Sequence, residues 1–518
     1  YTQKRFTADE IFFADNDNSL MLIVQFALEN IPLVLFGVAL TLLLAWAYRP
    51  KIVARSPIEK GWVRWIVECL IFVMTALLCV AGIRGGVSRA VRPITLSNAT
   101  AYTRDAGKAN LILSNPFCII RTMGGQAIPV VEFFPSDTLA RIYTPYHYSD
   151  TTAITSLEGR NVMVMVLESF SAEHSAYLSP ELYPDGNGYT PFLDSLMQSG
   201  FTFRAAYANG HKSIEALPSV VGSIPSFSTP FVLLPQALGE SRQMPEMLAD
   251  RGYQTMFFCG SERGSMGFDA YMSSAGVQSQ WWREDFEQRH GKTHFDGYWG
   301  IWDEKFIGYM GEELQKCTEP FFATIFTLTS HHPFVIPQEY EGKLPEGLTP
   351  NHKCVAYVDQ AVQKFFARYE NEEWFKNTIF VFVADHVSSE QFSDEFRTSP
   401  GGYQVMGLIH APESSLVGEH RQVVSQVDIM PTLLGLLGNE EPYFAFGRDI
   451  FNEHCDEPFS LNYDNNVFQA ITSEYVVCFD EKQIVGVYAH GDLEKKHNLV
   501  SEVDLSAIEQ KIKAMIQS

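Results

Sequence analysis

Through its middle the chain repeats one pattern. A short, unbroken apolar run rich in β-branched and aromatic residues is closed abruptly by polar side chains. NVMVMVLESF opens the series at Asn161, and YQTMFFCGS, FFATIFTLTS, TIFVFVADH and VMGLIHAP follow. Runs this short, without polar alternation, read as strands covered on both faces, the strands of a parallel sheet. Amphipathic helical patterns such as TPFLDSLMQSG and CVAYVDQAVQKFFARYE lie between them. Alternating strands and helices predict an α/β class domain with three α/β/α layers and a mostly parallel central sheet. We expect that domain over residues 158–518. After Phe451 the pattern weakens. EYVVCFDEKQIVGVYAHGD reads as two alternating segments of a small antiparallel annex, and SEVDLSAIEQKIKAMIQS as a closing helix.

Upstream, two runs are longer than any strand: NIPLVLFGVALTLLLAWAY (Asn30–Tyr48) and WIVECLIFVMTALLCVAGI (Trp65–Ile83). Each approaches the ~20 residues that cross a bilayer as a helix. The connecting RPKIVARSPIEKGWVR carries Arg49, Lys51, Arg55, Lys60 and Arg64, and positive-inside bias puts such a short loop in the cytoplasm. The expected order is an outer loop over 1–18, two transmembrane helices with a basic cytoplasmic loop over 19–84, and a linker along the membrane and main domain over 85–157. Everything after the second helix then lies outside the cytoplasm, on a multi-pass anchor in the bilayer. Formal net charge is −23, which argues against nucleic acid as a partner, since phosphate backbones select basic patches. Of the 8 cysteines, Cys69 and Cys79 lie in the second membrane run and Cys118, Cys259 and Cys478 in apolar strings; there is no CxxC pair, and no spacing demands a disulfide framework.

Ligands of open α/β sheets gather where strands end at their carboxyl side. Here the strand ends carry Glu168, then Ser261 and Glu262, then His331 and His332, then Asp385 and His386. Glu168, Asp385 and His386 offer two hard oxygens and an imidazole, a mixture suited to Zn²⁺ or Mn²⁺. NGHKSIEALPS supplies Ser213 where a helix is expected to begin, interrupted at Pro218. A serine there either caps the helix or, bound to a metal at the positive end of the helix dipole, becomes a nucleophile. Lys212 beside it either holds an anion or is a solvated loop lysine. Trp299, in FDGYWGIWDEKF, either lines the same mouth or packs in the core, and Asp428 in SQVDIMPTLL reads as a helix cap.

Membrane helices followed in order by VMVLESFS, NGHKSIEALPS, TLTSHHPF, FVADH and VSQVDIMPTLLGLLG resemble the lipoteichoic acid synthase-like family (sulfatase domain) of the alkaline phosphatase superfamily. The resemblance spans roughly Ile83 to Phe451. It implies a sulfatase-like catalytic domain outside a bacterial cytoplasmic membrane. It also implies one divalent metal, Mn²⁺ or Zn²⁺ with Mg²⁺ admitted, on Glu168, Asp385, His386 and the hydroxyl of Ser213, a threonine in the lipoteichoic acid synthases. Its substrate-contacting histidine falls on His331, with His332 one place later, and Lys212, Glu262 and Trp299 complete the substrate-binding set. The implied reaction is phosphotransfer from a membrane phospholipid head group, of phosphoglycerol or phosphoethanolamine type, through phospho-Ser213 to an envelope glycan or lipid.

Two departures stand out. The formylglycine pattern C/S-x-P-x-R is missing from SIEALP, and GSERGSMGFDAYM stands where the synthases place a tryptophan and an arginine against glycerol phosphate. Two other readings accompany transfer: hydrolysis of phosphoric or sulfuric esters on the same fold, and a catalytically inactive membrane-tethered binding protein. Keeping Glu168, Ser213, Asp385 and His386 together speaks against the last.

Overall fold

The computed structural model of the protein describes residues 28, 31–47, 61–84, 94–103, 108, 111–122, 131–148, 157–238, 241–452 and 458–518. The chain divides into two units, residues 1–87 with 110–126 and residues 88–109 with 127–518.

The first unit contains the helices Ile31–Ala47 and Gly61–Arg84. Among the described residues one helical stretch is long and apolar enough to cross a membrane, Gly61–Gly82, with 22 residues and a mean hydropathy of 2.3. Its large side chains, Trp65, Leu70, Phe72 and Leu78 among them, are exposed rather than packed. A helix this apolar with no protein around it is consistent with a membrane anchor. Glu68, the acid near its start, is paired with Arg64 one turn earlier at 2.7 Å. The helix at the first apolar run has 17 residues, short of the ~20 that span a bilayer. The expected outer loop, and the basic loop up to Lys60, lie outside the described residues.

In the second unit the strands are β1 (Tyr146–His147), β2 (Asn161–Leu167), β3 (Phe201–Tyr207), β4 (Gln254–Cys259), β5 (Ser279–Trp281), β6 (Phe321–Phe326), β7 (Thr378–Ala384), β8 (Gln404–Val405), β9 (Gly407–His410), β10 (Gly418–Ser425), β11 (Tyr443–Phe444), β12 (Ser460–Asp464), β13 (Val467–Ile471), β14 (Tyr475–Phe479) and β15 (Ile484–Ala489). The central sheet has 9 strands in the order β10-β3-β9-β7-β2-β6-β4-β5, with β8 beside β3. Every residue of β2, β6 and β7 is buried, so both faces of the sheet centre are covered, as the unbroken apolar runs require. The sheet is mixed. β2, β3, β4, β5, β6, β7 and β10 run one way, and β8 and β9 run against them. This is an α/β fold with the mostly parallel central sheet that the sequence pattern predicts.

Two local expectations change. VMGLIHAP forms β9, which is antiparallel to both neighbours; an apolar run reports burial and says nothing about direction. The helix Ser213–Gly222 continues through Pro218. Proline removes one backbone bond and crowds the preceding turn. Here all ten helical residues are buried, and that packing holds the turn.

β12 to β15 form a 4-stranded antiparallel sheet in sequence order. Leu461, Phe468, Val477, Phe479 and Val487 on it pack with Ile512 and Met515 of the closing helix Ser506–Gln517 in a separate core. Residues from the expected linker are built into this region. The Gln517 side chain accepts the amides of Phe133 and Phe134 at 2.8 Å each, and β1 pairs with β11.

Candidate active site

β2 and β7 are parallel neighbours with Leu167 opposite Ala384, so Glu168 and Asp385 leave the sheet side by side. The Asp385 amide donates to the Leu167 carbonyl at 3.0 Å. Between them Ser169 adopts φ 59°, a left-handed conformation that non-glycine residues enter at a cost. That twist aims two donors inward: the Ser169 amide reaches Asp385 Oδ1 at 2.7 Å and its hydroxyl reaches Glu168 Oε1 at 2.7 Å. The segment after β6 holds Glu168 from the other side, with Thr327 Oγ1 accepting the Glu168 amide at 2.9 Å and Ser330 Oγ donating to its carbonyl at 2.6 Å.

His386 Nδ1 lies 2.8 Å from the Val387 carbonyl. A carbonyl only accepts, so Nδ1 holds the proton and Nε2 presents its lone pair. Nε2 faces Asp385 Oδ2 at 3.2 Å and Glu168 Oε1 at 3.6 Å. Asp385 Oδ2 is buried without a hydrogen-bond partner. A cation between that oxygen and Nε2 would satisfy both. One ligand atom from each of Glu168, Asp385 and His386 lies within 4.8 Å of the others, and two oxygens with one nitrogen suit Mn²⁺ or Zn²⁺. The residues fit a divalent metal.

The protein's own charges point the same way. Burial opposes charge on Glu168, but the His386 and His331 charges and hydrogen bonds from Asp385 and Ser169 outweigh it and lower its pKa. Burial, then the Glu168 charge, drives Asp385 well above the usual carboxylate range. Burial also opposes charge on His386, yet the Asp385 and Glu168 charges raise its pKa. A divalent cation would take the place of these shared protons.

Ser213 is not the cap of its helix. Lys212 holds that position, and its amide is satisfied by Glu215 Oε2 at 3.1 Å. Gly210 makes room for this arrangement, because a Cβ there would run into the Glu215 carboxylate. The Ser213 hydroxyl instead donates to Glu168 Oε2 at 2.9 Å and lies 3.2 Å from His386 Nε2. Buried at the positive end of the helix dipole, it belongs to the group of candidate ligands.

The other candidates separate. His331 is half-buried, its charge acts on Glu168, and its ring lies 4.2 Å from that of Trp299. His332 is exposed and contributes its carbonyl, which accepts Trp299 Nε1 at 2.6 Å. Trp299 is therefore half-buried, packed against the core on one side and beside His331 on the other. Its loop is turned by Asp296 Oδ1, which accepts the amides of Tyr298, Trp299 and Gly300. Lys212 is exposed and makes no hydrogen bond or ion pair from its side chain to Glu168, Asp385 or His386. Glu262 turns toward Arg283, 4.0 Å away, and is not brought to the metal group, although its neighbour Ser261 bridges to Gly300 in the Trp299 loop. Asp428 precedes the helix Ile429–Leu436, but its side chain does not cap that helix and instead accepts the amides of Ser425 and Arg448. Sequence reasoning missed Ser169, Asn209 and Gln426. Ser169 adjoins Glu168 and Gln426 lies two residues before Asp428, and nothing in their residue type distinguishes a positioning amide or hydroxyl from a surface one.

A family model described as Sulfatase matches residues 160–439, more than half of the chain. The chain is 24% identical over 388 residues to Lipoteichoic acid synthase-like YvgJ of Bacillus subtilis, over 68% of this chain and 60% of that protein. It is 22% identical over 302 residues to Phosphoglycerol transferase I of Escherichia coli, over 55% of this chain and 38% of that one. It thus spans less than two thirds of the length of these curated relatives. Among solved structures, a protein in the alkaline phosphatase superfamily from Vibrio parahaemolyticus superposes with a TM-score of 0.61 at 23% identity, over 75% of this chain and 91% of that one. The chain belongs to the sulfatase family.

Proposed function

We infer that the protein is a membrane-anchored, metal-dependent phosphotransferase acting on phosphodiesters outside the bacterial cytoplasmic membrane. One observation carries the reading: the Ser213 hydroxyl is hydrogen-bonded to Glu168 and close to His386, within a buried set of candidate metal ligands. Glu168, Asp385 and His386 would hold one divalent cation, Mn²⁺ or Zn²⁺ with Mg²⁺ admissible, which supplies positive charge to phosphate oxygens and lowers the pKa of an alcohol.

Glu168 accepts the Ser213 hydrogen bond, which orients the Oγ lone pairs away from the carboxylate. Ser213 Oγ then bonds to phosphorus, the bond from phosphorus to the lipid oxygen breaks, and the lipid alcohol leaves with a proton. An acceptor hydroxyl attacks the same phosphorus and restores the Ser213 hydroxyl; water in that role gives hydrolysis. His331, at the edge of the group, is suited to hydrogen-bond a phosphate or leaving oxygen, with Trp299 as a flat wall beside it. SIEALP offers no route to formylglycine, so the serine itself is the nucleophile. The name Phosphoglycerol transferase I among the relatives supports phosphoglycerol as the head-group class; phosphoethanolamine is the second class in this reading, with an envelope glycan or lipid as acceptor.

The test is release of labelled head group from phospholipid by the purified protein with Mn²⁺ or Zn²⁺. Ser213→Ala is expected to lower the rate by about 10³-fold or more, as loss of a nucleophile does. Equal release by both proteins would rule Ser213 out.

A further inference from the structure

The segment leading to Ser213 is held from behind by the C-terminal annex. Asn209 is 1% exposed and uses every polar group it has. Its amide donates to Gln426 Oε1 at 2.8 Å, and its carbonyl accepts Asn462 Nδ2 at 2.8 Å. Its Oδ1 accepts the Ser226 amide at 2.6 Å, and its Nδ2 donates to the Leu461 carbonyl at 3.2 Å. Asn462, fully buried on β12, also donates to the Ala208 carbonyl at 2.6 Å. Gln426 in turn donates to the carbonyls of Ala384 and Asp385 at 2.7 and 2.8 Å. Three buried amide side chains therefore connect the annex, the loop before Ser213 and the strand end that carries Asp385. A fully satisfied buried network fixes one geometry, because every alternative leaves a donor or acceptor unpaired.

We propose that Asn462 is a positioning residue for Ser213, and that the annex is thereby a working part of the active site. The proposal rests on Ser213 as the reacting hydroxyl. Asn462 grips the two carbonyls just past the end of β3, and four residues after Asn209 the chain enters the helix at Ser213. Loss of that grip lets the loop shift while the ligands on β2 and β7 stay in place. A misplacement of about 1 Å at a reacting atom lowers rate on the order of 10²-fold.

Asn462→Asp removes both donors at constant shape and turns a carboxylate oxygen toward two carbonyls; Asn462→Ala is the milder variant. In the full-length protein with Mn²⁺, we expect either variant to keep its metal affinity and its KM for phospholipid. The rate of Ser213 labelling falls by on the order of 10²-fold in Asn462→Asp and by less in Asn462→Ala. Amide hydrogen exchange rises over Asn209–Ser213 and not at the ends of β2 and β7. Gln426→Glu is the contrast, since losing its hold on the Asp385 carbonyl weakens metal binding as well as rate. An undiminished rate in a folded Asn462 variant overturns the proposal. So does a loss of rate matched by an equal loss of metal affinity, which means general loosening. Activity surviving in Ser213→Ala defeats the nucleophile reading instead, and the exchange pattern still decides whether Asn462 sets this loop.

Discussion

At Ser213 neighbouring atoms decide that the hydroxyl faces the buried acidic group rather than capping its helix. Glu215 satisfies the Lys212 amide, which leaves the Ser213 hydroxyl to Glu168 and His386. Ser169 plays the complementary part by holding one oxygen of each carboxylate. Ser169→Ala keeps its amide bond to Asp385 and loses the hydroxyl bond to Glu168; metal titration is expected to show affinity weaker by about 10-fold or more, the usual range for groups that orient ligands. Glu173 gives a pH prediction. Burial, against hydrogen bonds from the Ser393 and Phe392 amides and the Arg397 charge, raises its pKa to about 7, and its Oε1 is buried without a partner. The folded state therefore holds this proton more tightly than the unfolded chain. Its stability contribution is complete below the unfolded carboxylate pKa, about 4.3, and is lost as pH rises to about 7. Glu173→Gln removes that part of the decline, measured as denaturant midpoints from pH 5 to 8.

The elements divide by how much of each is buried. β2, β4, β6 and β7 were legible as apolar runs because the sheet centre is covered on both faces. β3 and β10 were not: FTFRAAY mixes half-buried with buried residues, GEHRQVVS half-buried and exposed with buried ones, and they lie at one side of the sheet. Yet β3 delivers Ser213 and β10 delivers Gln426. The candidate ligands Glu168, Asp385 and His386 could be picked out because each follows a readable strand, whereas Asn209 and Asn462 became meaningful only once distant segments met. β12 and β13 escaped notice because SLNYD and VFQAI are short and partly polar. Gly210→Ala tests the helix start. The added methyl meets the Glu215 carboxylate and displaces it from the Lys212 amide, so we expect a loss of about 1 kcal/mol, the worth of a cap, together with lower activity.

Over the whole molecule, an exposed apolar helix in one unit and a buried polar site in the other suit an enzyme working on lipid head groups. The charge of −23 leaves recognition of an anionic substrate to the metal and the few groups around it rather than to a broad basic surface. Metal binding should accordingly stabilise the catalytic unit. Saturating Mn²⁺ at about 100 times Kd adds about 2.7 kcal/mol, and chelation lowers Tm in the wild type but not in His386→Ala. The central claim, that Ser213 is a metal-dependent nucleophile, is met most directly by mass spectrometry of the Ser213 peptide after incubation with labelled phospholipid and Mn²⁺. The account predicts the phosphorylated head group covalently bound to Ser213, absent after chelation and absent in Ser213→Ala. Turnover with an unmodified Ser213 peptide and undiminished activity in Ser213→Ala would contradict it.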